Sequence, residues 1–218
     1  MNIPSDSQQL TAADIAGLIL AGGKSTRMEG QNKALLPFGD TTLLDHCYAI
    51  AARHLKTTLI SCGPHHYSQY PTQSHVPDNG EQGPLGGVLA GLQWLQHNSH
   101  HQWMLTMPCD TPYIDESWIA FMIKGINPNH PTKPVYAQHN GRNHYAHALW
   151  PASAIAAIKK ALEQQQYSLC GALQKLNAVA LDLSKDCSSS HFFNINSLAD
   201  AATAQQKLTC SKGKKQPK

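Results

Sequence analysis

The chain has 218 residues, enough for one large domain with a full core that needs no disulfide or structural metal. Only 14% of the residues are charged and 41% are apolar, with Gln, Asn, Ser, Thr and His making up the difference. The formal charge of +3 is concentrated in the run containing Lys207, Lys212, Lys214, Lys215 and Lys218. No aromatic residue is interleaved with those lysines, so the run reads as a solvated tail and nucleic acid is excluded as a partner. No apolar run approaches the ~20 residues that span a bilayer, so no membrane partner is expected. No secretory signal opens the chain and no cysteine pair has zinc-ribbon spacing, which predicts a cytoplasmic, reducing location.

Residues 1–14 are polar and without a period, and read as a flexible leader. Ile15 to Leu20 is a short apolar run that ends in glycines, as a buried strand entering a glycine loop does. Thr42 to Asp45 is a capping box that opens a helix to about His54, and Thr57 to Ser61 reads as the second strand. Beyond Gly83-Pro84, Leu85, Val88, Leu89, Leu92 and Leu95 share one helical face. Trp103 to Met107 is a further buried strand, and Asp115 caps a helix to about Lys124. Pro134–Gln138 and His144–Leu149 flank an Asn140-Gly141 turn, the pattern of a hairpin. On such a strand His144 and His147, three apart, are expected on opposite faces. A helix around Ile155, Ile158 and Leu162, a strand over Val179–Leu183 and a last helix opened by a capping box at Ser197–Asp200 complete the pass. Strands alternating with helices imply a parallel sheet covered on both faces. In such sheets ligands sit beyond the C-terminal strand ends, here Ala21–Arg27, Ser61–Gly63 and Pro108–Asp110.

Leu20-Ala-Gly-Gly-Lys-Ser-Thr-Arg27 has two glycines that let backbone N–H groups approach an anion, followed by cationic and hydroxyl side chains. A Walker loop would need Gly where Leu18 stands, and the dinucleotide G-x-G-x-x-G fails because Gly22 and Gly23 are adjacent. Lys33 beyond the loop can neutralise phosphate as a point charge. Asp110, at the end of a buried strand, is placed either to hold Mg²⁺ with phosphate oxygens and water or to cap the following turn.

Leu20 to Met28, Lys33-Ala-Leu-Leu36, Gly83-Pro-Leu-Gly-Gly87, Pro108-Cys-Asp-Thr-Pro-Tyr-Ile114 and Phe193-Asn-Ile-Asn196 occur in one order. In that order they resemble the molybdenum cofactor guanylyltransferases, within the glycosyltransferase-A-like nucleotidyltransferases. The resemblance runs from about Ile15 to Gln206 and leaves residues 207–218 as a basic tail. It implies a three-layer α/β/α Rossmann-like fold with a mostly parallel central sheet. It also implies transfer of GMP from GTP to molybdenum-bearing molybdopterin with release of pyrophosphate, and Mg²⁺ as cofactor. By motif, Leu20, Ala21 and Gly22 lie along the nucleotide, Gly23 and Arg27 complete the phosphate loop, and Lys33 and Asp78 contact the nucleotide. Arg27, Lys33 and Asp110 are the implied catalytic residues, with Asp110 also binding both the nucleotide and Mg²⁺. Gly83, Pro84 and Leu85 belong to the segment that separates guanylyl from cytidylyl members, and Asn194 and Asn196 belong to the pterin side. Implied protein partners are molybdenum insertion enzymes and molybdoenzyme chaperones. The chain departs from the family at Asn32, where Asp is common, and at Ser61, a nucleotide-side position where a relative has Asn. Two other readings remain open: a cytidylyl or sugar-1-phosphate nucleotidyltransferase, and a non-catalytic nucleotide-binding module.

Overall fold

The computed structural model of the chain describes residues 11–22, 32–63, 65, 67–76, 82–126 and 132–213. Its first strand, β1 (Ile15–Leu20), is buried at all six positions, which is why it reads as an unbroken apolar run. Two short strands, β2 (Pro37–Phe38) and β3 (Thr41–Thr42), pair as a small hairpin apart from the main sheet. Helix α1 (Leu43–His54) starts at the expected capping box, with Thr42 and Asp45 each bonding the other's backbone N–H. Strands β4 (Thr58–Ser61) and β5 (His75–Val76) follow. Helix α2 (Gly83–Asn98) begins at Gly83 itself, with Pro84 in its first turn, where a missing N–H costs nothing.

Next come β6 (Trp103–Pro108) and α3 (Glu116–Lys124), whose N-cap Asp115 accepts from the Trp118 backbone N–H. Then β7 (Val135–His139) turns through Asn140 and Gly141, both at positive φ, into β8 (Arg142–Pro151). Helices α4 (Ile155–Glu163) and α5 (Leu169–Lys175), strand β9 (Val179–Asp182) and helix α6 (Leu198–Gly213) end the described chain.

The main sheet has the order β5-β4-β1-β6-β8-β7-β9, and every strand is parallel to β1 except β8. One core layer packs α1 and α3 on the sheet through residues such as Leu44, Ala51, Trp118 and Met122. The opposite layer packs α2, α4 and α5 through Leu85, Leu92, Ile158 and Leu173. The expected three-layer Rossmann-like α/β/α fold is therefore present. A third, smaller cluster joins Leu36, Phe38 and Leu43 to Ile195 and Ala204, so α6 closes over the small hairpin. The Gly39 N–H donates to Gln205 Oε1 at 2.7 Å, and Leu208 packs on this cluster.

Three expectations need correction. Helix α6 continues past Lys207 to Gly213, because the capping pair Ser197 and Asp200 and the Leu208 contact carry it into the segment read as a solvated tail. The turn Ala12–Asp14, closed by its own Thr11–Asp14 capping box, orders the end of the segment read as leader. His144 and His147 do not face opposite sides. Tyr136 pairs with Ala148 but Ala137 pairs with His144, so residues 145–147 form a bulge. Their rings end 6.0 Å apart, edge to face.

Candidate functional site

The C-terminal ends of β1, β4 and β6 meet at one edge of the sheet. There the Ala21 N–H donates to the Ser61 carbonyl at 2.9 Å and the Cys109 N–H donates to the Leu20 carbonyl at 3.2 Å. A side chain at Gly22 would put its first carbon 3.1 Å from the Gly63 backbone nitrogen, so the first glycine of the loop is required by a neighbouring turn. Ser61 is buried at the end of β4. Gly23 and Arg27, the rest of the expected phosphate loop, and Asp78 lie outside the described residues.

Lys33 is carried on a single 3-10 turn, Lys33–Leu35, capped by Asn32. Its ammonium donates to Asp110 Oδ2 at 2.5 Å and to Asn194 Oδ1 at 3.1 Å. Three residues far apart in sequence thus form one cluster, with Lys33 and Asp110 each about one-fifth exposed. The Ile195 N–H donates to the Asp110 carbonyl at 2.9 Å, which fixes the Asn194–Asn196 segment beside the end of β6. Asp110 does not cap the turn that follows it: its Oδ2 accepts from Lys33 instead, while the Thr111 hydroxyl donates back to the Pro108 carbonyl at 3.0 Å. Asp110 Oδ1 is buried and has no hydrogen-bond partner among the described residues.

Asn at position 32 has a local reason. Tyr67 is buried and its hydroxyl donates to the Ala21 carbonyl at 3.3 Å, leaving its oxygen to accept. The Asn32 amide fills that role at 3.1 Å while its Oδ1 accepts from the Ala34 N–H. An aspartate offers no donor there. Asn32 and Tyr67 thereby tie the start of the glycine loop to the turn that carries Lys33. Burial pushes the Tyr67 pKa up to about 12, so the hydroxyl keeps its proton.

Behind Asp110, His147 is fully enclosed and its Nε2 lies 3.2 Å from Thr111 Oγ1. The Thr111 proton is committed to Pro108, so Nε2 carries the hydrogen of a neutral imidazole. Burial, with His144 adding a smaller push, lowers the His147 pKa to about 3. His144 stacks on Phe192 with centroids 4.0 Å apart. Cys47 and Cys109 flank the cluster as fully buried free thiols, and burial pushes Cys47 up to about 12 and Cys109 well above its ordinary value. Both are held as neutral thiols and neither is available as a nucleophile.

On the far side of Asn194 a cavity of about 430 Å³ opens, with Asn194 and Asn196 on one wall and Phe192, Phe193, Arg142 and Lys207 around it. Arg142 and Lys207 escaped sequence reading. Arg142 directly follows the Asn140-Gly141 turn, a position that could have flagged it; Lys207 was hidden in the lysine run. Gly83, Pro84 and Leu85 form the first turn of α2, with Gly83 at φ +58° and open space where a Cβ would stand. Among the described residues no set of three His, Cys, Asp or Glu side chains is placed to hold a metal ion, and no helix is long and apolar enough to cross a membrane.

Residues 17–179 match the family model for the MobA-like NTP transferase domain. A molybdenum cofactor guanylyltransferase from Acidiphilium cryptum is 30% identical over 89% of this chain and 96% of its own length. One from Mesorhizobium japonicum is 29% identical over 90% of this chain and 98% of its own. Among solved structures, molybdopterin-guanine dinucleotide biosynthesis protein A from Archaeoglobus fulgidus superposes with a TM-score of 0.72 at 20% identity, covering 90% of this chain and 99% of that one. The match to the family model spans the glycine loop, Lys33 and Asp110: the chain belongs to the MobA-like NTP transferase family.

Proposed function

We propose that this chain transfers GMP from GTP to molybdopterin carrying molybdenum, forming the guanine dinucleotide and releasing pyrophosphate. The observation that carries the reading is the Lys33–Asp110–Asn194 cluster, which joins a strand-end nucleotide edge to a polar cavity large enough for a second substrate. The names of the relatives supply the guanylyl group and the molybdenum cofactor.

Mg²⁺ fits the residues present. Asp110 Oδ1 is a buried carboxylate oxygen without a partner among the described residues, and Mg²⁺ needs only one or two carboxylates when phosphate oxygens and water complete its shell. When bound, the ion would offset charge on the transferring and leaving phosphates. The terminal phosphate of molybdopterin is already anionic, so its oxygen attacks the α-phosphorus of GTP with no general base. The α–β bridging oxygen departs with pyrophosphate. What remains for the protein is positioning and charge neutralisation. Lys33 releases Asp110 and turns its ammonium to the phosphates, with Asn194 as the hinge contact between the two substrates. Arg27, Gly23 and Asp78 complete this reading from the family motif.

Base choice tests it. Gly83 leaves the backbone open to a planar base, and each guanine-specific hydrogen bond left unmade with cytosine costs about 1–3 kcal/mol. GTP is expected to exceed CTP at least ~10-fold in kcat/KM with molybdopterin as acceptor. Equal use of CTP would remove the guanylyl assignment and leave the family intact. Asp110→Asn is expected to lower turnover at least ~10²-fold with the fold preserved, measured by pyrophosphate release alongside a melting curve.

A further inference from the structure

The cavity beyond Asn194 carries two cations that the nucleotide chemistry does not use. Arg142 opens β8 just after the hairpin turn, and Lys207 lies on α6, yet both line the same 430 Å³ space. Neither forms an ion pair with a carboxylate among the described residues. The Lys207 ammonium lies 5.3 Å from the centre of the Phe193 ring, held against the cavity wall by cation–π attraction. An anion in this space would therefore meet two cations that no carboxylate among the described residues neutralises. Ser189 and Ser190 line the same space, the Ser190 hydroxyl donating to Ser188 Oγ at 3.0 Å. Asn194 separates this space from Lys33 and Asp110, so an anion here is adjacent to the reaction centre and outside the nucleotide edge.

We propose that Arg142 and Lys207 form the anion-binding wall of the acceptor site and hold a phosphate monoester of a planar heterocycle. The proposal rests on the transferase reading above for the identity of the acceptor, but not for the existence of the site. Arg142 supplies a planar fork that matches two phosphate oxygens, and Lys207 supplies a point charge that can move from the Phe193 face onto the ligand. The two residues set acceptor affinity and leave nucleotide affinity to the strand-end edge.

The test uses the full chain with Arg142→Gln, Lys207→Gln and both together. Both residues are exposed, so the melting temperature is expected to stay at the wild-type value. Each single change is expected to raise the KM for molybdopterin about 10-fold, the double change more, while the KM for GTP stays within about twofold. Arg142→Lys is expected to recover part of the loss. The acceptor KM of the double variant is expected to lose most of its dependence on ionic strength. An unchanged acceptor KM, or an equal rise for GTP, overturns the proposal. Equilibrium dialysis with 6-hydroxymethylpterin monophosphate separates the two readings. A wild-type enzyme inert in turnover removes the transferase reading. If it still binds this probe about tenfold more tightly than the double variant does, the site stands. If wild type and double variant bind it equally, or neither binds it, the site falls.

Discussion

The pair Asn32 and Tyr67 makes one hydroxyl both donor and acceptor in a buried place, and that commits the residue type at position 32. Asn32→Asp is expected to cost about 1 kcal/mol, the worth of one net hydrogen bond. In a Tyr67→Phe background the same change should cost less, and a double-mutant cycle from denaturant melts reads the difference. Equal costs in the two backgrounds would show that the residues act independently. His147 makes a second residue-scale prediction. Its pKa falls from an ordinary 6.5 to about 3 in the folded chain, so the unfolded chain binds the extra proton first as pH drops. The stability it contributes is complete above pH ~6.5 and drains at up to about 1.4 kcal/mol per pH unit toward pH ~3. His147→Leu is expected to flatten that part of the stability–pH curve between pH ~6.5 and ~4.5, with a cost at pH ~7.5 of about 1 kcal/mol for the Thr111 contact. An unaltered slope in chemical denaturation would assign the acid sensitivity to other groups. At this scale the sequence was legible where chemistry is local. Lys33 and Asp110 stand in motifs whose spacing announces them. Tyr67 bonds Asn32 and Ala21, and His147 meets Thr111, across 35 to 46 residues of chain, and no local window shows such partners.

Helix α2 shows how a single small residue sets the distance between layers. A side chain at Gly91 would bring its first carbon 2.7 Å from Met104 Sδ and 3.0 Å from Leu18 Cδ2, on the two central strands that end at the site. Gly91→Ala is expected to destabilise by about 1–3 kcal/mol through overpacking, although alanine is the better helix former. A thermal melt checks it, and a rise in melting temperature would mean that Met104 yields freely. Elements announced by caps were readable to the residue: α1 and α3 begin where Thr42 and Asp115 place them. Helix α5 was missed because seven residues show too little of a 3.6-residue period, and β5 because two residues show none of period two. The bulge in β8 was missed because its cause lies in β7, where the pairing shifts between Tyr136 and Ala137. That shift gathers His144, His147 and Phe192 behind the site instead of spreading them over two faces.

Across the whole molecule the alternation of strands and helices was enough to imply a covered, mostly parallel sheet, because each apolar run needed a helix on either side. The strand order was not readable, since it depends on which crossover passes which face. The reversal of β8 has the larger functional weight. It returns the hairpin turn and Arg142 to the edge where β1, β4 and β6 end, so the proposed nucleotide edge and the second cavity share one rim. The Lys33–Asp110 pair at that rim also governs what an approaching ligand feels from a distance. A bare carboxylate there would oppose each negative charge of an incoming triphosphate by about 0.4 kcal/mol at ~10 Å in water, before salt screening. With the ammonium 2.5 Å from the carboxylate oxygen, the visitor meets a dipole, whose field dies away faster with distance than a lone charge. Lys33→Gln should therefore slow the encounter itself, apart from any weaker grip on the docked nucleotide. In stopped-flow association the on-rate for GTP is expected to fall several-fold at low ionic strength and to converge on the wild-type value as salt rises. A deficit independent of salt would place the whole effect of Lys33 in the bound state. If the deficit closes with salt, the resting ion pair keeps the entrance electrically quiet for an anionic guest.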